Sequence, residues 1–310
     1  MTKNNNLNNN LNNSKNLKNF NFIIDKNNCA PCKSKNKNKN NFNSCYSLIS
    51  LKKIAEAWNS NNSDRIKIEN QSRKQLWDNI QKKFSKACGN DESCWKKQDF
   101  IKKLKDVEIE MFTFKPTYPK EWLKNKYTWL NTYDIFYVMK QYEKKINDFV
   151  FLGPIPSDCP TKIHCELSKL DLINMKKNNI NKIGIIYNLD VSSGPGTHWV
   201  AIFIDNKKNE INYYDSYGSL PNKLISGFIE SLVKKYNENN FSSIVIYNDK
   251  RHQYGGSECG VYSMNFILER LHDTNMYQIS NMDIPDEKMN YLRKLLYNTS
   301  EHKEIFDKNH

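Results

Sequence analysis

An α+β domain with a mixed central β-sheet flanked by helices, carrying an N-terminal helical module, is the fold class that this 310-residue chain predicts. Three observations predict it. Short continuous apolar runs (IGII at 183–186, WVAIFI at 199–204, SIVIY at 243–247) stand in the second half, as expected of strands covered on both faces. Amphipathic stretches with helical spacing lie on either side of them. Residues 45–108 show helical periodicity alone.

In chain order, residues 1–44 hold 18 Asn and 8 Lys against one Asp, too little apolar surface to offset the entropy of ordering. A disordered tail is expected there. Three helices are expected in 45–108. Residues 45–59 place Leu48, Leu51, Ile54, Ala55 and Trp58 on one stripe behind an N-cap at Ser47. Residues 72–88 do the same with Leu76, Ile80, Phe84 and Ala87, with Gly89 as the stop. Residues 91–104 offer Cys94, Trp95, Ile101 and Leu104 for burial. From 109 to 310 a second domain is expected. It opens on a strand at 109–114 and a helix at 129–145 carrying Ile135, Val138, Met139 and Tyr142. Strands follow at 149–152, 182–190, 198–205, 210–215 and 243–247, with helices at 221–236, 259–272 and 285–297.

Charge and cysteine usage narrow the function classes. The net charge is +13, of which +7 falls in the first 44 residues, so the body is only mildly basic. That balance suits an acidic partner or nucleic acid without specifying either. No apolar run approaches the ~18 residues of a membrane span. Phe20–Ile24 is too short for a signal-peptide core, so a soluble intracellular protein is expected. The eight cysteines are then expected as thiols, including Cys88 and Cys94 on either side of Gly89-Asn90. Cys29-Ala-Pro-Cys32 has redox or zinc-knuckle spacing, but no second pair follows it, and no metal or cofactor is expected.

The residues with chemical potential fall into two groups. His198 opens one strand and Asp215 closes the next. A turn centred on Lys207-Lys208 pairs residues whose numbers sum to 415, setting Asp215 opposite Val200. His198 and Val200 share a face, so the carboxylate becomes a diagonal neighbour of the imidazole and can fix its tautomer. The second group is Gln253-Tyr-Gly-Gly-Ser-Glu-Cys-Gly260, which runs straight into the apolar stretch 261–271. Cys259 therefore sits at a helix N-terminus, where unpaired amides favour a thiolate. Gly255, Gly256 and Gly260 leave room for a peptide backbone, and the Gln253 amide can join a backbone N–H as an oxyanion donor. His252 is expected to be solvated. His164 and Cys165, adjacent in sequence, point different ways.

Gly196-Thr-His198-Trp199, Tyr214-Asp215-Ser216, and Gln253 six residues before Cys259-Gly260 together resemble the adenain and ubiquitin-like-protein-specific cysteine protease superfamily. Within it the chain is most similar to the polyprotein-processing proteases of large nucleocytoplasmic DNA viruses, through WLNTYDIFYVMKQYE, FLGPIP, IGIIYNLD and SECGVYSMNFI. The resemblance implies Cys259 as nucleophile, His198 as base, Asp215 as orienter and Gln253 in the oxyanion hole. It implies cleavage after Gly-Gly, with Trp129 and Trp199 walling a narrow tunnel and Asn131, Gly256 and Ser257 also at the substrate. Virion precursor proteins in the particle and host cytoplasm are the implied substrates. A deconjugase acting on a ubiquitin-like modifier and an acetyltransferase using the same Cys and His are the alternatives within the superfamily. A DNA-binding virion protein, acting through the tail or the helical module, is the alternative outside it.

Overall fold

The computed structural model of the chain describes residues 28–33, 44–125 and 127–300. It contains two compact units, one from Pro119 to Arg293 and one from the described residues of 25–118 together with those from Lys294 onward. The division falls at 118/119 and not at 108/109, because Ile109 and Phe114 are core residues of the helical unit.

In the helical unit, α1 (Leu48–Asn61) starts at Ser47, whose hydroxyl accepts from the Ser50 amide. α2 (Arg73–Cys88) starts at Ser72, which forms a reciprocal capping box with Gln75. Leu51, Ile54 and Ala55 of α1 meet Leu76, Ile80 and Phe84 of α2 around Trp95. Leu48 and Ala87, expected on the buried stripes, are exposed. The helix expected over 91–104 is broken into a 3₁₀ turn, Glu92–Lys97, and a short helix, Asp99–Lys102. Asp91 accepts from the Ser93 amide only two residues on, which tightens that turn. The strand expected at 109–114 is absent: Asp106 caps a short helix, Val107–Met111, by accepting from the Ile109 amide.

Two expectations about the cysteines are corrected here. Six of the eight are disulfide-bonded, as Cys29–Cys45, Cys88–Cys94 and Cys159–Cys165, while Cys32 and Cys259 stay reduced. Each pair is brought within 5.2–5.5 Å at Cα, the separation that a disulfide spans. The expectation of thiols rested on redox environment, which carries no information on that proximity. Nor is the whole of 1–44 a loose tail. Residues 28–33 dock through the Cys29–Cys45 bond, the Ala30 amide on Thr113 O and the Lys115 amide on Asn28 O. The remainder of the expected tail, 1–27 and 34–43, lies outside the described residues.

The second unit is built on a five-stranded sheet in the order β1 (Phe149–Pro156), β2 (Lys182–Asn188), β3 (Trp199–Asp205), β4 (Glu210–Tyr214), β5 (Ile244–Tyr247). β2, β3 and β4 form an antiparallel meander, with β1 and β5 parallel to their neighbours. β1 outlasts the expected 149–152 by shifting register between Leu152 and Ile155. Alternation divides the sheet's side chains between two covered faces. Ile183, Ile185, Val200, Ile202, Ile204 and Ile211 pack against α4 (Lys223–Glu238) through Ile225, Phe228, Ile229 and Leu232. The opposite face receives α5 (Cys259–Leu271), all thirteen residues of which are buried. There Phe266 stacks on Tyr214, and Ile267 comes so near β2 that a Cβ on Gly184 would lie 3.0 Å from it.

Two further long helices, among shorter ones, are α3 (Thr132–Lys145) and α6 (Asp286–Leu296). Asn131 caps α3: its Oδ1 accepts from the Tyr133 and Asp134 amides, while Asp134 accepts from the Asn131 amide. Asn131→Ala should therefore lower stability by about 1 kcal/mol and Asn131→Ser by much less, read from chemical denaturation.

Candidate active site

β3 and β4 pair with Ala201 opposite Tyr214 and Asp205 opposite Glu210, the register that a Lys207-Lys208 turn requires. Continued past the strand ends, it brings His198 to Asp215. His198 Nε2 donates to Asp215 Oδ1 over 2.7 Å, with the two residues 8% and 1% exposed. The same carboxylate oxygen accepts from the Tyr217 amide at 2.8 Å. The backbone of Asp215 is held as firmly as its side chain. Its amide donates to Asn248 Oδ1, and its carbonyl accepts from Asn248 Nδ2. Removing that one side chain would leave two buried peptide groups unmet, at about 1–3 kcal/mol each.

The imidazole is gripped by its face as well. Tyr217 stacks on it at 4.6 Å between centroids with 9° between the planes, and Arg251 covers the Tyr217 ring at 5.0 Å. Burial alone would push the His198 ring down, since it disfavours the charged form. Hydrogen bonds to Asp215 and Cys259, with the charges of both, outweigh it and raise the ring from 6.5 to about 9. Cys259 thus lies near enough to the ring for its charge to act on it. With Nε2 committed to Asp215, Nδ1 is the nitrogen left to face it.

Cys259 is the first residue of α5 and 2% exposed. The first intrahelical bonds are donated by Val261 and Tyr262 to Glu258 O, so the amides of Cys259 and Gly260 have no partner within the helix. Gly260 admits its neighbours closely: a Cβ there would meet Leu130 at 3.1 Å and Trp199 at 3.3 Å. Trp199, itself buried, donates its indole N–H to Leu130 O at 2.9 Å. The loop ahead of the cysteine is anchored by acids. Asp286 Oδ2 accepts from the Tyr254 and Gly255 amides, and Glu258 accepts from both the amide and the hydroxyl of Ser257.

Gln253 is fully buried; its Oε1 accepts from Ser216 Oγ at 2.6 Å, and its Nε2 donates to Gly255 O at 2.9 Å. The structure therefore bonds His198 to Asp215, sets Cys259 near the ring and seats Gln253 in the loop that leads to the cysteine. The other expected residues are placed differently. Ser257 is buried with its hydroxyl committed to Glu258, Gly256 is exposed with nothing within 4 Å of a built Cβ, and Asn131 is engaged as a helix cap. Trp129, at 45% exposed, stands open to solvent beside Leu130.

His252 corrects an expectation. It is buried and not solvated, accepting from Tyr214 OH at Nδ1 and donating from Nε2 to Ser280 O. Burial lowers its pKa, and both ring nitrogens are engaged by the fold. Cys165 is tied into a disulfide, and His164 beside it is exposed. Sequence reasoning missed Asn248, Tyr217, Ser216 and Asp286. Of these only Ser216 and Tyr217, next to Asp215, carried a signal through position. Among the described residues no cluster of three or more His, Cys, Asp or Glu could hold a metal ion, and no helix is long and apolar enough to cross a membrane.

Residues 173–307 match the family described as Ulp1 protease family, C-terminal catalytic domain. Over 271 residues the chain is 31% identical to a candidate thiol protease of Acanthamoeba polyphaga mimivirus, covering 82% of this chain and 89% of that one. It is 27% identical over 247 residues to proteins of African swine fever virus, covering 72% of this chain and 88% of theirs. Those are named cysteine protease in one isolate and SUMO-1 cysteine protease in another. The crystal structure of an African swine fever virus protease superposes with a TM-score of 0.64 at 23% identity, covering 88% of this chain and 96% of that one, a likeness of fold.

The raised His198 value has a definite sign. The ring holds its proton through neutral pH and loses it as pH rises through about 9. The alkaline limb of kcat/KM on a peptide substrate should fall there, and Asp215→Asn should move it downward by removing the carboxylate charge. A pH–rate profile of the two proteins measures both.

Proposed function

Because this chain belongs to the Ulp1 protease family and is a cysteine protease, we propose that it is an endopeptidase that processes viral structural precursors, polyprotein or core, after Gly-Gly. The observation that carries the reading is the 2.7 Å His198–Asp215 bond, with Cys259 at a helix N-terminus near enough to act on the ring. In this mechanism the proton given up by Cys259 is already held by His198, and the sulfur attacks the scissile carbonyl carbon. The amide N–H of Cys259 and the Gln253 Nε2 receive the oxyanion. As the C–N bond breaks, His198 returns its proton to the leaving amine. Water then hydrolyses the thioester. Asp215 orients the ring throughout.

Support for small residues ahead of the scissile bond is steric. Trp199 packs against Gly260 beside the nucleophile, and Trp129 is exposed next to the Leu130 carbonyl that holds the Trp199 ring. Support for a viral precursor comes from the mimivirus and African swine fever virus relatives. The reading places the enzyme in the particle and at assembly sites in the host cytoplasm. Attraction of the Lys-rich residues 1–44 to nucleic acid would concentrate it there. A second reading, a deconjugase of a ubiquitin-like modifier, is favoured by the name SUMO-1 cysteine protease borne by relatives.

One experiment separates the two. The enzyme and its Cys259→Ala variant are incubated with precursor proteins of the source particle and, in parallel, with a SUMO fusion, and new N-termini are mapped. Termini following Gly-Gly in the precursors support maturation; cleavage of the fusion alone supports deconjugation. Cys259→Ala should abolish turnover while leaving circular dichroism unchanged. Gln253→Ala should cost about 2–4 kcal/mol of transition-state stabilisation, read from kcat.

A further inference from the structure

We propose that Ser216 is a positioning residue that holds the Gln253 amide in the orientation that Gly255 O selects. This rests on the reading of Gln253 as an oxyanion donor. An amide side chain offers two nearly isosteric ends, and only the nitrogen end can donate. The loop decides between them by chemistry. Gly255 O can only accept, so the group 2.9 Å from it must be Nε2. Oε1 then lies 2.6 Å from Ser216 Oγ, and the hydroxyl must donate. Rotating the amide by half a turn would set Oε1 against Gly255 O, two acceptors in contact. Of the two Nε2 hydrogens Gly255 takes one, and the other remains for an oxyanion.

The burial of the pair makes this bond consequential. Ser216 is 1% exposed and Gln253 0%, so no solvent molecule on the surface substitutes for a lost hydroxyl. The backbone contribution of Ser216 is separate: its carbonyl accepts from the amides of both His252 and Gln253 at 2.9 Å. Ser216→Ala keeps those peptide bonds and deletes only the hydroxyl. Asp215 and Ser216 thus serve the two halves of the site from consecutive positions. The first sets the imidazole and the second sets the amide.

The test compares Ser216→Ala, Ser216→Cys, Gln253→Ala and the double variant Ser216→Ala/Gln253→Ala on a Gly-Gly-Xaa peptide. Alkylation of Cys259 by iodoacetamide is followed by mass spectrometry. Ser216→Ala is expected to lower kcat about tenfold at unchanged KM. It should leave the alkylation rate and the alkaline pH limb where they were, because neither the thiol nor His198 is touched. Ser216→Cys, close in size and a weaker donor, should fall between parent and Ala, which keeps the test decisive if the Ala variant does not fold. In the Gln253→Ala background the serine substitution should cost nothing more. Parental kcat in Ser216→Ala and Ser216→Cys, a slowed alkylation, or losses that multiply in the double variant would each overturn the proposal. An unchanged kcat in Gln253→Ala would instead remove the donor reading beneath it.

Discussion

The pairing register of β3 with β4 is the constraint on which the site depends. Because strand side chains alternate, a slip of one residue would send His198 and Asp215 to opposite faces of the sheet. The register is held from both sides at once: Ile202, Ile204 and Ile211 face α4, while Trp199, Phe203 and Tyr214 face α5. A slipped hairpin would expose one apolar set and bury the wrong one. The energy that fixes the geometry of the site is therefore spread through the core of the whole unit, and the 2.7 Å bond at its end is a result of it.

Around that bond the protein resolves an electrostatic conflict. A buried imidazole ordinarily gives up its proton, and His252, between β5 and α5 and as buried as His198, is lowered by its burial. His198 behaves in the opposite way because it faces a carboxylate and a thiol, whereas His252 faces a tyrosine hydroxyl and a carbonyl. Two histidines of similar burial are shifted in opposite directions because their partners differ. The acids that fix the cysteine loop, Asp286 and Glu258, spend their oxygens on amides and a hydroxyl of that loop and on Asn290.

What was legible in the sequence follows from how local each cause is. A hairpin has its register written in its turn, so the diagonal placement of His198 and Asp215 could be worked out from Lys207-Lys208. The helix start at Cys259 was marked by the glycines before it and the apolar run after it. Asn248 and Asp286 lie far along the chain from the groups they hold, and no local pattern distinguishes them from other polar residues. His252 was misread for the same reason, since Tyr214 and Ser280 reach it through the fold. In the helical unit the alternation of residues 109–114 fitted a strand, and the cap offered by Asp106 turned the same residues into a helical turn.

The hold that Asp286 has on the Tyr254 and Gly255 amides reaches into how the protein is made. Translation delivers His198, Asp215, Gln253 and Cys259 to the exit tunnel before Asp286. A ribosome-bound chain that has emerged only as far as the cysteine already holds all four of these residues, yet the loop before Cys259 still lacks its anchor. The loop before Cys259 can therefore take up its final form only after the segment carrying Asp286 has followed it out.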